Sequence, residues 1–347
     1  MERLEHLTPP DSAAYAAAQK HWNTVAKPLG SLGHLEEQIC RLAAVQRTPE
    51  VTLSPCCAAV LCADHGIVEE GVSQSGSEVT AMCARAIAGG TSNINAIAAP
   101  FGIEVIAADL GMKAPCPGVR DLRVGAGTRS FTQGPAMTRG QAVQAICHGM
   151  DLAQELANKG LRLVIAGEMG IGNTTSASAI ASVLLHRPPR EVTGRGAGLS
   201  DAGLSRKCAV IERGIAVNAP DPADPIGVLS ALGGFEIAGM TGLFLGGAVY
   251  GITVIIDGVI SAAAAAVAAA IAPVSRDYML ASHCSGEPAG EGLLALIGLN
   301  APIRAGLRLG EGTGGVLLVP LLEGALAVYR SAHSFETLGL APYEVLS

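Results

Sequence analysis

Aromatic residues make up only 3% of this chain and charged residues only 15%, and its lysines and arginines cluster nowhere. A nucleic-acid-binding protein needs a basic footprint to meet phosphates, so with a net charge of -7 that class is excluded. Metal and disulfide frameworks lack their signatures as well. The nine cysteines are an odd number, no CxxC occurs, and Cys56-Cys57 is an adjacent pair too cramped for an ordinary bridge. Cysteine then serves as a small buried apolar residue, and free thiols imply a reducing, cytoplasmic setting. The first residues, MERLEHLTPPD, carry charges and no apolar h-region, so no signal peptide is expected. The one long apolar run, Val259–Val274, is dominated by alanine and falls short of the roughly 20 residues a membrane span needs. A buried helix is expected there, and no membrane partner.

What is present is small and apolar. Glycine occurs 44 times and apolar residues reach 49% over 347 positions, enough chain for a sizeable core. Small residues let helices approach a sheet closely, which suits an α/β protein rather than a β-sandwich. Residues 1–47 have helical spacing, with a turn at Pro28–Gly33 (PLGSLG). From about 57 onward, short apolar runs end in glycine or a polar residue and are followed by helix-length segments. The runs are Ala58–Cys62, Ile103–Ala108, Leu161–Ala166, Thr253–Ile256, Tyr278–Ala281 and Leu307–Leu309. Unbroken β-branched runs of this kind predict buried parallel strands, and ligands of such sheets sit beyond the strands' carboxyl ends. A helical pattern returns at Leu321–Tyr329. The fold expected is a parallel sheet flanked by helices in three Rossmann-like layers, spanning 51–319. Residues 1–50 and 320–347 are expected to form a small helical domain.

Two glycine-rich segments carry the chemistry. Gly167-Glu168-Met169-Gly170-Ile171-Gly172-Asn173-Thr174-Thr175 follows a predicted strand and precedes a predicted helix, Ser176–Leu185. Free amides and the positive end of a helix dipole suit a phosphate at such a turn. The spacing is close to that of a P-loop, but Asn173 stands where the lysine for the β/γ-phosphates belongs, so a monophosphate fits better than a triphosphate. In the second segment, Leu309-Gly310-Glu311-Gly312-Thr313-Gly314-Gly315, a single carboxylate is flanked by glycines at a strand end. Over an apolar floor its pKa rises and it becomes an effective general base. Asp257-Gly258 and His283–Glu287 are weaker signals of the same kind. Asp64-His65-Gly66 lacks the companions of a metal site. The paired acids of magnesium-dependent, diphosphate-using phosphoribosyltransferases are not evident, so neither a metal nor a cofactor is expected. Two other readings stay open on these residues alone. One is a P-loop-like nucleotide enzyme, against which Asn173 argues. The other is a non-catalytic binder of ribosyl phosphates, against which an intact Glu311 argues.

Together, Lys27–Gly33, Asp64-His65-Gly66 with Glu78-Val79-Thr80, Gly167–Thr175 and Gly310–Gly314 occur in the order seen in the nicotinate-nucleotide–dimethylbenzimidazole phosphoribosyltransferases, and the chain resembles that family over roughly residues 20–330. The resemblance implies transfer of phosphoribose from nicotinate mononucleotide to dimethylbenzimidazole, giving α-ribazole 5′-phosphate and nicotinate for the lower ligand of cobalamin. It also implies a homodimer. By the same resemblance Glu311 matches the base, and Glu168, Gly170 and Gly172 match the loop at the ribosyl phosphate. Gly196, Lys207, Gly258 and Ser285 match further substrate positions. Met169, Ile171, Asn173, Thr174, Asp257 and Leu309 complete the expected site with Met82, which stands where the family often has glutamine. Methionine removes an amide and leaves an adaptable apolar wall, so a different benzimidazole, a purine or a phenolic acceptor stays open.

Overall fold

Strands here form where apolar residues run without polar alternation, because both faces of the sheet are covered. The computed structural model describes residues 2–5 and 7–343. In chain order the elements are α1 (Ser12–Trp22), α2 (His34–Gln46), β1 (Cys56–Ala63), α3 (Glu78–Ala88), α4 (Asn93–Ala98), β2 (Glu104–Gly111), β3 (Arg120–Asp121), α5 (Arg139–Asn158), β4 (Leu163–Met169) and α6 (Asn173–Leu184). They continue with α7 (Pro189–Val192), α8 (Asp201–Asn218), α9 (Pro225–Leu232), α10 (Phe235–Tyr250), β5 (Thr253–Ile256), α11 (Val259–Ile271), β6 (Met279–Ala281), α12 (Ala289–Leu296) and α13 (Thr313–Tyr329).

All strand pairs are parallel, in the order β3-β2-β1-β4-β5-β6. This is the doubly wound order, and its direction reverses between β1 and β4, where a crevice opens beyond the strands' carboxyl ends. The central strands β1, β2 and β4 have eight, eight and seven residues; the edges β3 and β6 have two and three. Alternation assigns the faces. Cys57, Ala59, Leu61 and Ala63 of β1, with Val164 and Ala166 of β4, enter one core with α5, α6 and α8–α12. Ala58, Val60 and Cys62, with Leu163 and Ile165, enter a second core with residues of α1–α4 and α13.

The helices at the two ends of the chain therefore meet over the second face of the sheet, sharing its core. Trp22, 2% exposed, meets the Tyr329 ring edge-on at 5.0 Å, and the backbone of Val25 bridges that of Ser334. Trp22→Ala is expected to lower stability by about 3–5 kcal/mol; a urea unfolding curve of the variant measures it. On the first face α5 and α10 touch backbone to backbone. A Cβ on Gly149 would lie 1.9 Å from the Gly239 carbonyl oxygen, and one on Gly242 would lie 1.9 Å from that of Ile146. The alanine-rich run is the buried helix α11, and no helix among the described residues is long and apolar enough to cross a membrane.

Two expectations need correction. Leu307–Leu309 is not a strand: Leu309 is 53% exposed, and the Leu307 carbonyl accepts from the Gly286 amide in a loop rather than from a strand. The position beside β6 is taken instead by the single bridge His283–Ile303. The last helix starts at Thr313, not Leu321, and runs through Pro320. Pro320 sits eight residues into α13, a position that sequence reasoning treats as a break. As a result both glycine-rich segments open directly into helices, α6 and α13.

Candidate active site

The switch-point geometry gathers side chains from segments far apart in sequence. A cavity of about 200 Å³ lies over the carboxyl ends of β4, β5 and β6. Its walls include Glu168 and Met169 at the end of β4, Gly170, Ile171, Asn173 and Thr174 after it, Gly258 after β5, Ser285 after β6, and Gly196 and Leu309 from loops. Ten of the expected positions thus converge. Gly172 and Lys207 line a smaller pocket of about 80 Å³ that shares the Gly170–Thr174 wall.

That smaller pocket is the electropositive end. Gly172 caps α6 in a left-handed conformation without a side-chain cap; the Asn173 and Thr175 amides donate to the Gly170 and Gly172 carbonyls at 3.1 and 2.9 Å, and the positive end of the α6 dipole adjoins the pocket. Lys207, on α8 and 1% exposed, donates to Thr174 Oγ1 at 2.9 Å and to the Gly194 carbonyl at 3.2 Å. Burial holds its ammonium down to about 8, with the Glu287 carboxylate opposing the shift. A cation with so little solvation is set to gain from an arriving anion.

The larger cavity holds carboxyls. Glu168, 6% exposed, accepts hydrogen bonds from the Asn173 side-chain amide and from the backbone N–H of Glu311. Burial first, and the nearby Asp257 charge second, raise its pKa to about 8, so near neutrality it is largely protonated. Glu311 is 5% exposed and turned inward: its Oε2 accepts from the Ile94 amide at 3.0 Å, at the start of α4, and its carboxylate also accepts from the Asn93 side chain. Burial raises its pKa while those two donors pull it back. Four non-glycine residues among those described have positive φ. Arg47, His186 and Ala219 stand just past helix C-termini, an ordinary place for it. Glu311, with φ 62, stands instead before a helix N-terminus. A left-handed non-glycine residue costs about 1–2 kcal/mol, and such strain collects at functional sites.

Three expected residues line neither pocket. Glu311 lies behind Gly310, which lines the larger one. Met82 is 63% exposed on α3. Asp257 is 3% exposed and engaged with backbone amides of the α13 turn, so it faces protein rather than ligand space. Conversely, His283, Glu287 and Arg308 reach the cavity wall. The stretch His283–Glu287 carried a weak signal; Arg308 carried none, being hidden in a supposed strand. His65 of the Asp64-His65-Gly66 segment is structural here. It bridges Glu236 Oε1 at 2.6 Å and Ser176 Oγ at 3.0 Å, tying the end of β1 to α10 and α6.

Comparison with known proteins agrees with this geometry. The profile of a family described as phosphoribosyltransferase matches residues 7–340. The nicotinate-nucleotide–dimethylbenzimidazole phosphoribosyltransferase of Desulforudis audaxviator is 42% identical over 341 residues, covering 97% of each chain. The enzyme of the same name from Pseudomonas putida is 41% identical over 336 residues, covering 96% of each. The crystal structure of the Thermus thermophilus enzyme of that name superposes with a TM-score of 0.88 at 36% identity, covering 95% of this chain and 99% of that one. With matches that run nearly from end to end in both sequence and fold, the chain belongs to the nicotinate-nucleotide–dimethylbenzimidazole phosphoribosyltransferase family.

Proposed function

We propose that this enzyme transfers phosphoribose from nicotinate mononucleotide to 5,6-dimethylbenzimidazole or a related base, giving α-ribazole 5′-phosphate and nicotinate for the cobalamin lower ligand. The observation that carries the reading is polarity within one site. The N-terminus of α6 and the buried Lys207 line the smaller pocket, and Glu168 with the Glu311 turn stands at the larger cavity beside it. A ribosyl monophosphate spans such a site with its phosphate at the α6 N-terminus beside Lys207 and its C1′ toward the carboxyls.

In the substrate the leaving group is already a pyridinium. When the C1′–N bond breaks, its electron pair goes to the ring nitrogen and nicotinate leaves without a proton donor. The imidazole nitrogen of the incoming base forms the new bond from the opposite face, inverting β to α. The proton on its other ring nitrogen passes to Glu311. Burial raises the Glu311 pKa, which strengthens the base and brings its proton affinity closer to the working pH. Glu168, largely protonated below about 8, is suited to donate a hydrogen bond to a ribose hydroxyl. As an anion, above that value, it would stabilise positive charge on the sugar. Positioning both substrates in one enclosed pocket supplies much of the remaining acceleration.

The test is incubation with both substrates, following nicotinate release and the product mass. Failure of both sinks the reading. Because no diphosphate departs, saturating EDTA is expected to leave the initial rate unchanged; a loss restored by magnesium contradicts the scheme. Competition among benzimidazoles, purines and phenols, read by product mass, assigns the preferred acceptor. We also place the enzyme in the cytoplasm as a homodimer. The unpaired thiols support the reducing compartment, and the family resemblance supports the dimer.

A further inference from the structure

The Glu311 turn has no cap of its own. Gly312, the residue before α13, contributes no side-chain cap, and Glu311 beside it is held in the left-handed region. The first amides of a helix must find acceptors when buried. Here they find one outside the helix, on the end of β5. Asp257 Oδ2 accepts from the Gly312 amide at 3.1 Å, and Oδ1 accepts from Gly314 at 2.7 Å and Gly315 at 3.2 Å. A carboxylate at this point also meets the positive end of the α13 dipole. The approach depends on a missing side chain, since a Cβ on Gly314 would fall 2.0 Å from His283 Nδ1 and 3.0 Å from Asp257 Oδ1. His283 backs the carboxylate at 3.9 Å, its ring oriented by Ser282 Oγ at 3.0 Å.

We propose that Asp257 is a positioning residue: its carboxylate substitutes for the absent cap of α13, fixes the 310–315 turn, and thereby aims the Glu311 carboxylate at the acceptor base. Asp257 itself touches no substrate. The inference rests on Glu311 being the base, and it reassigns Asp257 from ligand binding to holding the residue that does the chemistry.

The decisive variant is Asp257→Asn, which keeps size and one acceptor oxygen but places an amide donor against an amide donor. Expected is a kcat loss of ~100-fold, the scale of a small misplacement of a reacting group, with the Kd for nicotinate mononucleotide within about twofold. In the double variant with Glu311→Gln, turnover should be no lower than in Glu311→Gln alone, because residues acting as one unit are not additive. Losses that multiply, or a weakened Kd with kcat retained, overturn the proposal. Hydrogen exchange at the amides of Gly312, Gly314 and Gly315 reads the turn directly. Faster exchange in Asp257→Asn supports the proposal and unchanged protection refutes it. Gly314→Ala, which displaces the same groups from the other side, should reproduce the kinetic pattern. If Glu311→Gln alone keeps normal turnover, the base assignment falls, while the exchange measurement still decides whether Asp257 holds the turn.

Discussion

Glu311→Gln lowers turnover by about 10²–10⁴-fold, the usual range for general-base assistance, and leaves nucleotide binding close to normal. Glutamine keeps the shape and can still accept from the Ile94 amide that Oε2 now engages, so the fold should be intact. What it loses is the capacity to take a proton. The pH profile gives a second reading of the same change. Burial raises the Glu311 pKa, and the base works only when ionised. The rate in the native enzyme therefore falls as pH drops through that raised value, and the Gln variant loses this limb. Stopped-flow or endpoint release of nicotinate across pH measures both effects. Near-normal turnover with the limb preserved would remove Glu311 from its role.

The second large effect falls on binding. Lys207→Met keeps an unbranched stem in the same slot and removes the ammonium beside the N-terminus of α6. Breaking a buried charge pairing typically costs about 3–5 kcal/mol, so the KM for nicotinate mononucleotide should rise by roughly 10²–10³-fold with a much smaller change in kcat. Because burial already lowers the ammonium to about 8 in the free enzyme, binding of the phosphate should raise that value. Nucleotide affinity should then weaken as pH climbs above about 8, and the Met variant should lack this decline. Calorimetric titration at several pH values checks both statements. An unaltered KM would move the phosphate elsewhere.

The layered parallel sheet was readable because its strands are apolar on both faces, and five of the apolar runs predicted as strands lie on β1, β2, β4, β5 and β6. β3 escaped, since a two-residue edge strand, Arg120–Asp121, carries no apolar run at all. Leu307–Leu309 misled because an exposed loop that lines a cavity can look like a strand when it contains two leucines. The glycine-rich turn at 167–175 was legible as a strand-to-helix connection from its glycine spacing, which is local information. The surroundings of Asp257 were not. Nothing in its neighbouring residues tells that its partners are amides more than fifty positions later, brought close only by the neighbouring placement of β5 and α13. Arg308 was missed for a similar reason, as a lone charge in a loop whose inward direction depends on tertiary structure.

The sheet thins toward both margins, to two residues at β3 and three at β6, and the chain beyond β6 is engaged with Ile303. An unpaired strand margin is a template on which a neighbouring molecule can add its own backbone, and long flat margins seed aggregation. This molecule presents almost none. Its most apolar strands lie in the middle of the sheet, paired on both sides, where no further strand can add to them.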